Sequence, residues 1–332
     1  MADSTSISDT SGLASVPDQS QSTTSSASQP GSSNLTYMKV PKLIKTVFDK
    51  FPLVKYPEAS LPSTCLFPAP ADKIGTAFVH STADDSIYPQ SIRLLTILKL
   101  AGVTDKFAII PSSPHAAPKS GSVPYVFLRS RPRIKSDLLP RTLYPESKAF
   151  HQWLASIAPS FPAFDTAKQN PLLSLVDIRL RDAWLLTLYL YPANYKSILV
   201  PRLTQAYSHS DTSTSIIPHI LAYSASREAQ QLLTGSTGVS RITETIQRSI
   251  ITNAEEALDA LANLLSDSGT PYINGWEPGV LDAAVYGYLW PILGLELKSL
   301  AGDGQAQLKT LVKERKALVD LVERIHDQVR KV

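Results

Sequence analysis

Cysteine is almost absent from this 332-residue chain, in which Cys65 is the single example. One thiol excludes an intrachain disulfide, a CxxC redox pair and any zinc site built on cysteines. We therefore expect the protein to work in a reducing compartment.

Charged residues make up only 18% of the chain, below the roughly 25% of an average soluble domain. No run of about 18 uniformly apolar residues occurs, so the sequence predicts no membrane-spanning helix. The 43% of hydrophobic residues are enough to fill two domain cores. The net charge is only +3, and the bases are not interleaved with aromatic side chains, so nucleic acid binding has no support.

The motifs of several enzyme classes are also missing. The chain has no GxGxxG or GxxxxGK(S/T) loop for nucleotide phosphates and no GxSxG turn of a hydrolase. Its six histidines show no HExxH or other metal-ligand spacing. We therefore expect no metal and no cofactor.

Two segments precede the first predicted strand. The first 35 residues hold 16 Ser or Thr, three Asp and no Lys or Arg, so residues 1–38 are predicted to be a disordered tail. The three Asp come before the first basic residue, Lys39, whereas a mitochondrial presequence is rich in Arg and poor in acids, so no cleaved import leader is expected. Residues 39–71 combine an amphipathic helix over 40–51 with a proline-rich strap. That helix either packs inside the protein or lies at a membrane interface.

Residues 72–144 have the pattern of a small α/β domain. A strand is predicted over Thr76–His80, a helix over Pro89–Leu100 ended by Gly102, and a second, parallel strand over Lys106–Ile110. A third strand follows Val123-Pro124, where a proline fits either an edge strand or a cis turn.

Residues 145–332 are predicted to be helical throughout. Helical periodicity runs over 147–157, 172–191 and 242–265, and Gly269 followed by Pro271 predicts the end of the last of these helices. A final helix is predicted from Gln305 to Arg330.

This order is the layout of the glutathione transferases, so we predict a thioredoxin-like N-terminal domain followed by a glutathione-transferase-like helical C-terminal domain. Transferase chemistry needs a hydroxyl or thiol near the start of the first helix to stabilise a thiolate. The candidates are Ser81, Thr82, Ser86 and Tyr88. An ordinary capping or loop role fits the same positions.

Transferases follow their third strand with an acid and a serine that hold the γ-glutamyl end of glutathione. Here Arg129, Arg131, Arg133 and Lys135 follow instead, which argues against a glutathione site and against any catalytic residue. Because these bases alternate, an extended chain projects all four from one face, toward lipid phosphates or an acidic partner. The alternative is a solvated edge that discourages strand pairing.

Two segments in the C-terminal half, residues 254–265 (AEEALDALANLL) and 271–289 (PYINGWEPGVLDAAVYGYL), together resemble the metaxins. In that family a helix, a short aromatic-Gly turn and a Leu-Asp-Ala helix occur in this order. Residues 40–53 (VPKLIKTVFDKFPL) and the HAAP and VP motifs at 115–118 and 123–124 resemble fungal metaxin-related subunits of the mitochondrial sorting and assembly machinery, the SAM complex. Of the two metaxin-type subunits of that complex, residues 40–53 are more similar to the smaller, second-metaxin-like one. The signature residues are Pro124, Gly275, Trp276, Gly279 and Asp282.

Two departures from the expected pattern are visible. Relatives of the wider transferase fold place Ser or Thr three residues before the Asp to complete a capping box, whereas Gly279 stands there in this chain. We therefore expect only one of the two hydrogen bonds of the box to form, in which Asp282 accepts from the backbone N–H of Gly279. The Lys-Trp pattern of the family's first helix is replaced by residues 91–100 (SIRLLTILKL), so a partner contact through that tryptophan is not supported.

The resemblance implies a non-enzymatic peripheral subunit on the cytosolic face of the mitochondrial outer membrane that helps recognise and insert β-barrel precursors. The implied partners are the β-barrel assembly channel, a second metaxin-like subunit, the precursors and the membrane surface. Two alternatives remain open, a glutathione-transferase-like enzyme and a transferase-like scaffold for protein assembly in the cytosol.

Overall fold

The computed structural model describes residues 72–80, 87–112, 123–129, 133–134, 137–138, 142–207, 217–235, 242–302 and 304–331. The predicted tail and the predicted amphipathic helix and strap, residues 1–71, lie outside the described residues. So do Ser81, Thr82, Ser86, Arg131 and Lys135.

A small mixed sheet forms the N-terminal domain. The described strands are β1 (Gly75–Val79), β2 (Phe107–Pro111), β3 (Tyr125–Leu128), β4 (Arg133–Ile134), β5 (Asp137–Leu138) and β6 (Thr142–Leu143). Four of them lie in the order β2-β1-β3-β6, with β1 parallel to β2 and antiparallel to β3, and with β3 antiparallel to β6. Strands β4 and β5 pair with each other in a separate two-stranded sheet.

Helices make up most of the remaining described chain. They are α1 (Pro89–Leu100), α2 (Lys148–Ile157), α3 (Thr166–Leu175), α4 (Arg181–Leu185), α5 (Pro192–Asn194), α6 (Val200–Tyr207), α7 (Ile217–Thr234), α8 (Glu244–Ser268), α9 (Val280–Gly294), α10 (Gln307–Glu314) and α11 (Lys316–Lys331), with a 3₁₀ turn at Thr104–Lys106 and π-helical turns at Val176–Leu180, Leu186–Leu190 and Tyr195–Leu199. Among the described helices, none is both long enough and apolar enough to cross a membrane.

The β1-α1-β2 unit confirms the sequence prediction. Helix α1 has the predicted bounds, with Pro89 in its first turn, where its missing N–H costs no hydrogen bond. The chain leaves the helix through Gly102 at φ 65°. The Val123-Pro124 bond is cis, and β3 is an inner strand. Of the two predicted roles for Pro124, the cis turn is therefore confirmed.

Helix α2 packs on the sheet although the sequence analysis assigned it to the helical domain. Phe150, Trp153 and Leu154 are buried in the same core as the sheet residues Val126 and Leu128. This core is separate from the larger one of the helical domain. The apolar spacing of α2 therefore serves the sheet, and the helical domain begins after it.

Helix α9 is the centre of the helical domain, and it also contacts α1. Nearly all of its residues are buried, so it shows no amphipathic pattern. Gly287 allows the close approach to α1, because a Cβ at this position would lie 2.7 Å from the backbone oxygen of Pro89.

Helix α8 ends as predicted, with Gly269 in the left-handed conformation at φ 62°. The prediction of one final helix from Gln305 to Arg330 is wrong, because the chain breaks between α10 and α11 at Arg315. The guanidinium of Arg315 donates to Asp259 Oδ1 at 2.7 Å and to the backbone oxygen of Leu311 at 2.7 Å. These bonds hold the break against α8.

Candidate functional site

The predicted place for a thiol-stabilising hydroxyl is the start of α1, close to the end of β1 and to the backbone beside the cis Pro124. The ring of His80 stacks on the ring of Tyr88, with the ring centres 4.2 Å apart. His80 also hydrogen-bonds to the backbone of Val123, the residue before Pro124, and burial lowers its pKa to about 4. The two rings therefore form a neutral aromatic pair in this part of the domain.

Tyr88 is the one candidate hydroxyl residue that the described chain includes. It precedes α1, but its side chain makes no capping bond, and its ring packs against the core of the helical domain. Ser91, in the first turn of α1, is fully buried and its Oγ accepts from the backbone N–H of His80 at 3.0 Å. Both residues thus have structural contacts of their own.

An acidic residue and a serine stand at a position that the sequence analysis overlooked. The fourth strand of the sheet, β6, is followed by Glu146 and Ser147, with Ser147 directly before α2. Ser147 Oγ accepts from the backbone N–H of Phe150 at 3.1 Å and donates to the backbone oxygen of Tyr144 at 2.7 Å. Glu146 is exposed. The third strand is followed by Arg129 as the sequence analysis described, and an acid-serine pair occurs instead after the fourth strand.

The basic residues after β3 do not lie on one continuous strand. Arg129 follows β3 directly, and its backbone N–H donates to the backbone oxygen of Ile74 at 3.0 Å. Arg133 lies in β4, which belongs to the separate two-stranded sheet. Because Arg131 and Lys135 lie outside the described residues, a common face for all four bases stays a prediction.

Four of the five residues that carry the metaxin resemblance lie at the start of α9 or in the turn before it, whereas Pro124 lies before β3. Asp282 is fully buried. Its Oδ2 accepts from the backbone N–H of Gly279 at 2.9 Å, and its Oδ1 accepts from the backbone N–H of Ile273 at 2.8 Å. The half capping box predicted from the sequence is confirmed, and the bond to Ile273 adds a second clamp on the turn.

The conformation of this turn explains its glycines. Gly275 has φ 115°, a value that L side chains rarely adopt. A Cβ at Gly279 would lie 2.0 Å from Asn274 Nδ2, so the side chain of Asn274 occupies the space that a capping Ser or Thr needs. Trp276 points away from the core and is 77% exposed.

Burial and hydrogen bonding act in opposite directions on Asp282. Loss of water raises the pKa of its carboxyl to about 6, while the backbone N–H donors from Gly279 and Ile273 lower it by a smaller amount. The carboxylate is therefore costly in the folded chain above pH 6, yet it is the form that accepts from both donors.

A second polar cluster joins the two domains, and the sequence analysis did not predict it. Arg93 of α1 is 1% exposed, and its Nη1 lies 3.1 Å from Asp177 Oδ2. Gln90 Nε2 donates to Asp177 Oδ1 at 3.1 Å and to the hydroxyl of Tyr288 at 3.2 Å. Arg93 occurs in the apolar helix 91–100, and that mismatch is the one sign in the sequence of a buried charge.

Metal ligands do not come together in the described part of the chain, where no group of three or more His, Cys, Asp or Glu could hold an ion. Besides His80, two described histidines stack on aromatic rings: His151 on Phe164, with the ring centres 4.3 Å apart, and His326 on Trp290, with the ring centres 3.9 Å apart. These contacts give the imidazoles a packing role.

Comparison with known proteins agrees with this architecture. The sequence profile described as "Glutathione S-transferase, C-terminal domain" matches residues 254–325, which include the Asp282 turn. The chain has a glutathione-transferase-like fold. It combines a thioredoxin-like sheet domain with a transferase-like helical domain. No curated protein matches the chain.

Several solved structures are similar to this transferase-like chain. Glutathione transferase GSTFuA3 from Phanerochaete chrysosporium is 12% identical, with a TM-score of 0.48, over 78% of this chain and 98% of that one. The β-etherase LigF from Sphingobium sp. strain SYK-6 is 11% identical, with a TM-score of 0.46, over 78% and 100%. Glutathione S-transferase III in its apo form is 16% identical, with a TM-score of 0.41, over 76% and 90%.

Proposed function

We propose that this chain is a non-enzymatic, metaxin-like peripheral subunit of the mitochondrial sorting and assembly machinery. In this proposal it lies on the cytosolic face of the outer membrane and helps receive β-barrel precursors for insertion. Its partners are the β-barrel assembly channel, a second metaxin-like subunit, the precursors and the membrane surface. The proposal requires no metal and no cofactor.

The observation that carries the proposal is the use of the thiol region by the protein's own side chains. His80 and Tyr88 stack on each other, and His80 is held by the backbone beside Pro124. Tyr88 also packs on the core of the helical domain. Packing contacts of this kind support a role in binding through the surface of the domain rather than in thiol chemistry.

The metaxin-like segments give the second line of support. The two C-terminal segments contain the second half of α8, the Asp282 turn and the first ten residues of α9, and the matched transferase C-terminal profile covers both segments completely. Trp276, at the tip of that turn, is 77% exposed. An exposed tryptophan on a clamped turn can contact a partner at a low cost in side-chain entropy.

Affinity purification of the tagged full chain from mitochondria tests this proposal. We expect co-purification of a β-barrel assembly channel, and a Trp276→Ala variant should reduce the recovered amount. Tyr223→Ala is the matched control, because Tyr223 is 60% exposed on α7, outside the metaxin-like segments. Recovery of soluble cytosolic proteins alone would contradict the proposal and favour a cytosolic scaffold.

A glutathione-transferase-like enzyme is the second candidate, because Glu146 and Ser147 follow the fourth strand of the sheet. Binding to immobilised glutathione and conjugation to a chlorodinitrobenzene-type electrophile test it directly. Under our proposal neither exceeds background. Turnover that is lost in Ser147→Ala and kept in Ser156→Ala would replace our proposal with the enzyme, since Ser156 only donates to the backbone oxygen of Trp153.

A further inference from the structure

Unpaired polar atoms are concentrated around Arg93. Among the described residues, Nε and Nη2 of Arg93, Oε1 of Gln90 and both ring nitrogens of His151 are buried and have no hydrogen-bond partner. Gln90 lies one turn before Arg93 on α1, and the charge of Arg93 helps lower the pKa of His151. A neighbourhood with this many unpaired groups is costly unless another molecule pairs with them.

The free edge of Arg93 has the geometry of an anion site. Asp177 accepts a hydrogen bond only from Nη1 of the guanidinium, so Nε and Nη2 are left as a pair of parallel donors, a two-donor fork. Such a fork matches the two oxygens of a carboxylate, with two parallel N–H···O bonds. The side chain is 1% exposed, which strengthens a charge-assisted bond formed there.

The surrounding groups hold the fork in place. Asp177 accepts from both Arg93 and Gln90, and Gln90 also donates to Tyr288. Helix α9 packs closely on the base of the side chain, because a Cβ at Gly287 would lie 3.3 Å from the Cβ and the backbone nitrogen of Arg93. The guanidinium therefore needs little reorganisation when a ligand arrives.

His151 supplies a second polar group. Burial lowers its pKa to about 4, and the Arg93 charge adds to that effect, so the ring is neutral at pH 7 and carries one N–H donor. Stacking on Phe164 fixes its plane. A ligand oxygen that accepts from Arg93 and from His151 pairs donors that the protein leaves unpaired.

We propose that Arg93 is the anchor of a buried binding site for a small monocarboxylate, at the boundary of the sheet domain and the helical domain. The carboxylate accepts from Nε and Nη2 of Arg93, and His151 is the second contact. Asp177 has a side chain that is 24% exposed, so this part of the boundary reaches solvent. Because Nε and Nη2 of Arg93 are themselves buried, the ligand is restricted to one or a few carbon atoms.

Formate and acetate are the probes for the first experiment, which measures thermal unfolding of the full chain at constant ionic strength with chloride as the balancing anion. We expect a saturable rise of about 3 °C when formate is tenfold above its dissociation constant. A longer carboxylate such as hexanoate should give no rise. The absence of a saturable effect of formate and acetate would overturn the proposal.

Variants then separate this site from general effects of anions, with binding of formate followed by ligand-observed NMR. Arg93→Lys keeps the charge and loses the fork, so we expect at least tenfold weaker binding. His151→Phe keeps the ring stack and the Arg93–Asp177 pair and should weaken binding several-fold. Arg179→Lys is the matched control, because Arg179 is a surface arginine that bonds to Asn253 and lies 3.3 Å from Glu256.

Each result decides the matter. If Arg93→Lys does not fold, the His151→Phe measurement stands alone, and unchanged formate binding in it overturns the site. A crystal grown in formate that shows only water at Nε and Nη2 of Arg93 also overturns it. Weakening in both variants, with Arg179→Lys unchanged, supports it.

Discussion

Asp282 and Asp177 are two carboxylates of the helical domain that accept hydrogen bonds from different kinds of donor. Asp282 takes its donors from the backbone of its own turn, nine residues or fewer away. Asp177 takes its donors from Gln90 and Arg93, which lie 87 and 84 residues before it on another domain. The donors to Asp282 therefore lie within one turn. Asp177 instead links two domains, and its partner Arg93 keeps two buried donors, Nε and Nη2, that have no acceptor among the described residues.

The two carboxylates show how a group that only stabilises the fold differs from one whose partner can also bind a ligand. A carboxylate that pairs with local backbone N–H groups stabilises one turn and has nothing to offer a ligand. A guanidinium that shares only one nitrogen keeps a fork for another anion. The thiol region of the sheet domain follows the first pattern, because His80 and Ser91 are bonded to backbone groups.

Replacement of the carboxylate in Asp282→Ala is expected to destabilise the protein most. It removes both acceptors and leaves the N–H groups of Gly279 and Ile273 without them, so we expect a loss of about 3 to 4 kcal/mol in the free energy of unfolding. Chemical denaturation measures it. Asp267→Ala, at an exposed site of α8, should change that free energy by less than about 0.5 kcal/mol. Equal losses in the two variants would refute the clamp.

Asp177→Ala is expected to cost about 2 to 3 kcal/mol, because it leaves the charge of Arg93 buried and unpaired, although partial exposure of Asp177 moderates the loss. The double variant Arg93→Met/Asp177→Ala should be more stable than Asp177→Ala alone, since no buried charge remains. A double-mutant cycle by denaturation measures this. Strictly additive losses would show that the pair is not coupled.

The sequence predicted the elements whose signals are local. Helix α1 has Pro89 at its start and Gly102 after its end, and its bounds were predicted in full. The Asp282–Gly279 bond was also predictable, because a capping box spans only three residues. These features depend on neighbours in the chain, so a single sequence contains the information.

The features that depend on distant contacts were missed. Strand β6 has two residues, too few for an alternating pattern, and without it Glu146 and Ser147 could not be placed after the fourth strand. The break at Arg315 depends on Asp259, 56 residues away. The partner of Arg93 lies on another domain. The one signal in the sequence was the position of Arg93 among the apolar residues of α1, and this signal does not identify the partner of Arg93.

The buried carboxyl of Asp282 makes the stability of the protein depend on pH. The pKa of Asp282 is raised from 3.8 to about 6 in the folded chain, so the native state holds more protons than the unfolded state between these values. The contribution of Asp282 is therefore greatest below pH 4 and is lost as the pH rises through 6.

Asp282→Asn removes this titration. Between pH 4.5 and 7.5 we expect the wild-type chain to lose about 2 kcal/mol of unfolding free energy relative to Asp282→Asn. Denaturation of both proteins at the two pH values gives the difference. His80 acts in the opposite sense, since its lowered pKa favours stability above pH 6.5, but it is common to both proteins and cancels. A difference that does not change with pH would contradict the raised pKa of Asp282.

The smallest expected effect concerns the glycine before α9. Gly279→Ala places a Cβ within 2.0 Å of Asn274 Nδ2, so the amide must move, and we expect a loss of about 1 kcal/mol. Gly294→Ala is the matched control at the other end of α9, where a Cβ meets no atom of the described residues within 4 Å. It should stabilise the helix by about 0.5 kcal/mol. If Gly279→Ala is neutral, the Asn274 side chain yields freely, and Asp282 alone determines the geometry of the turn.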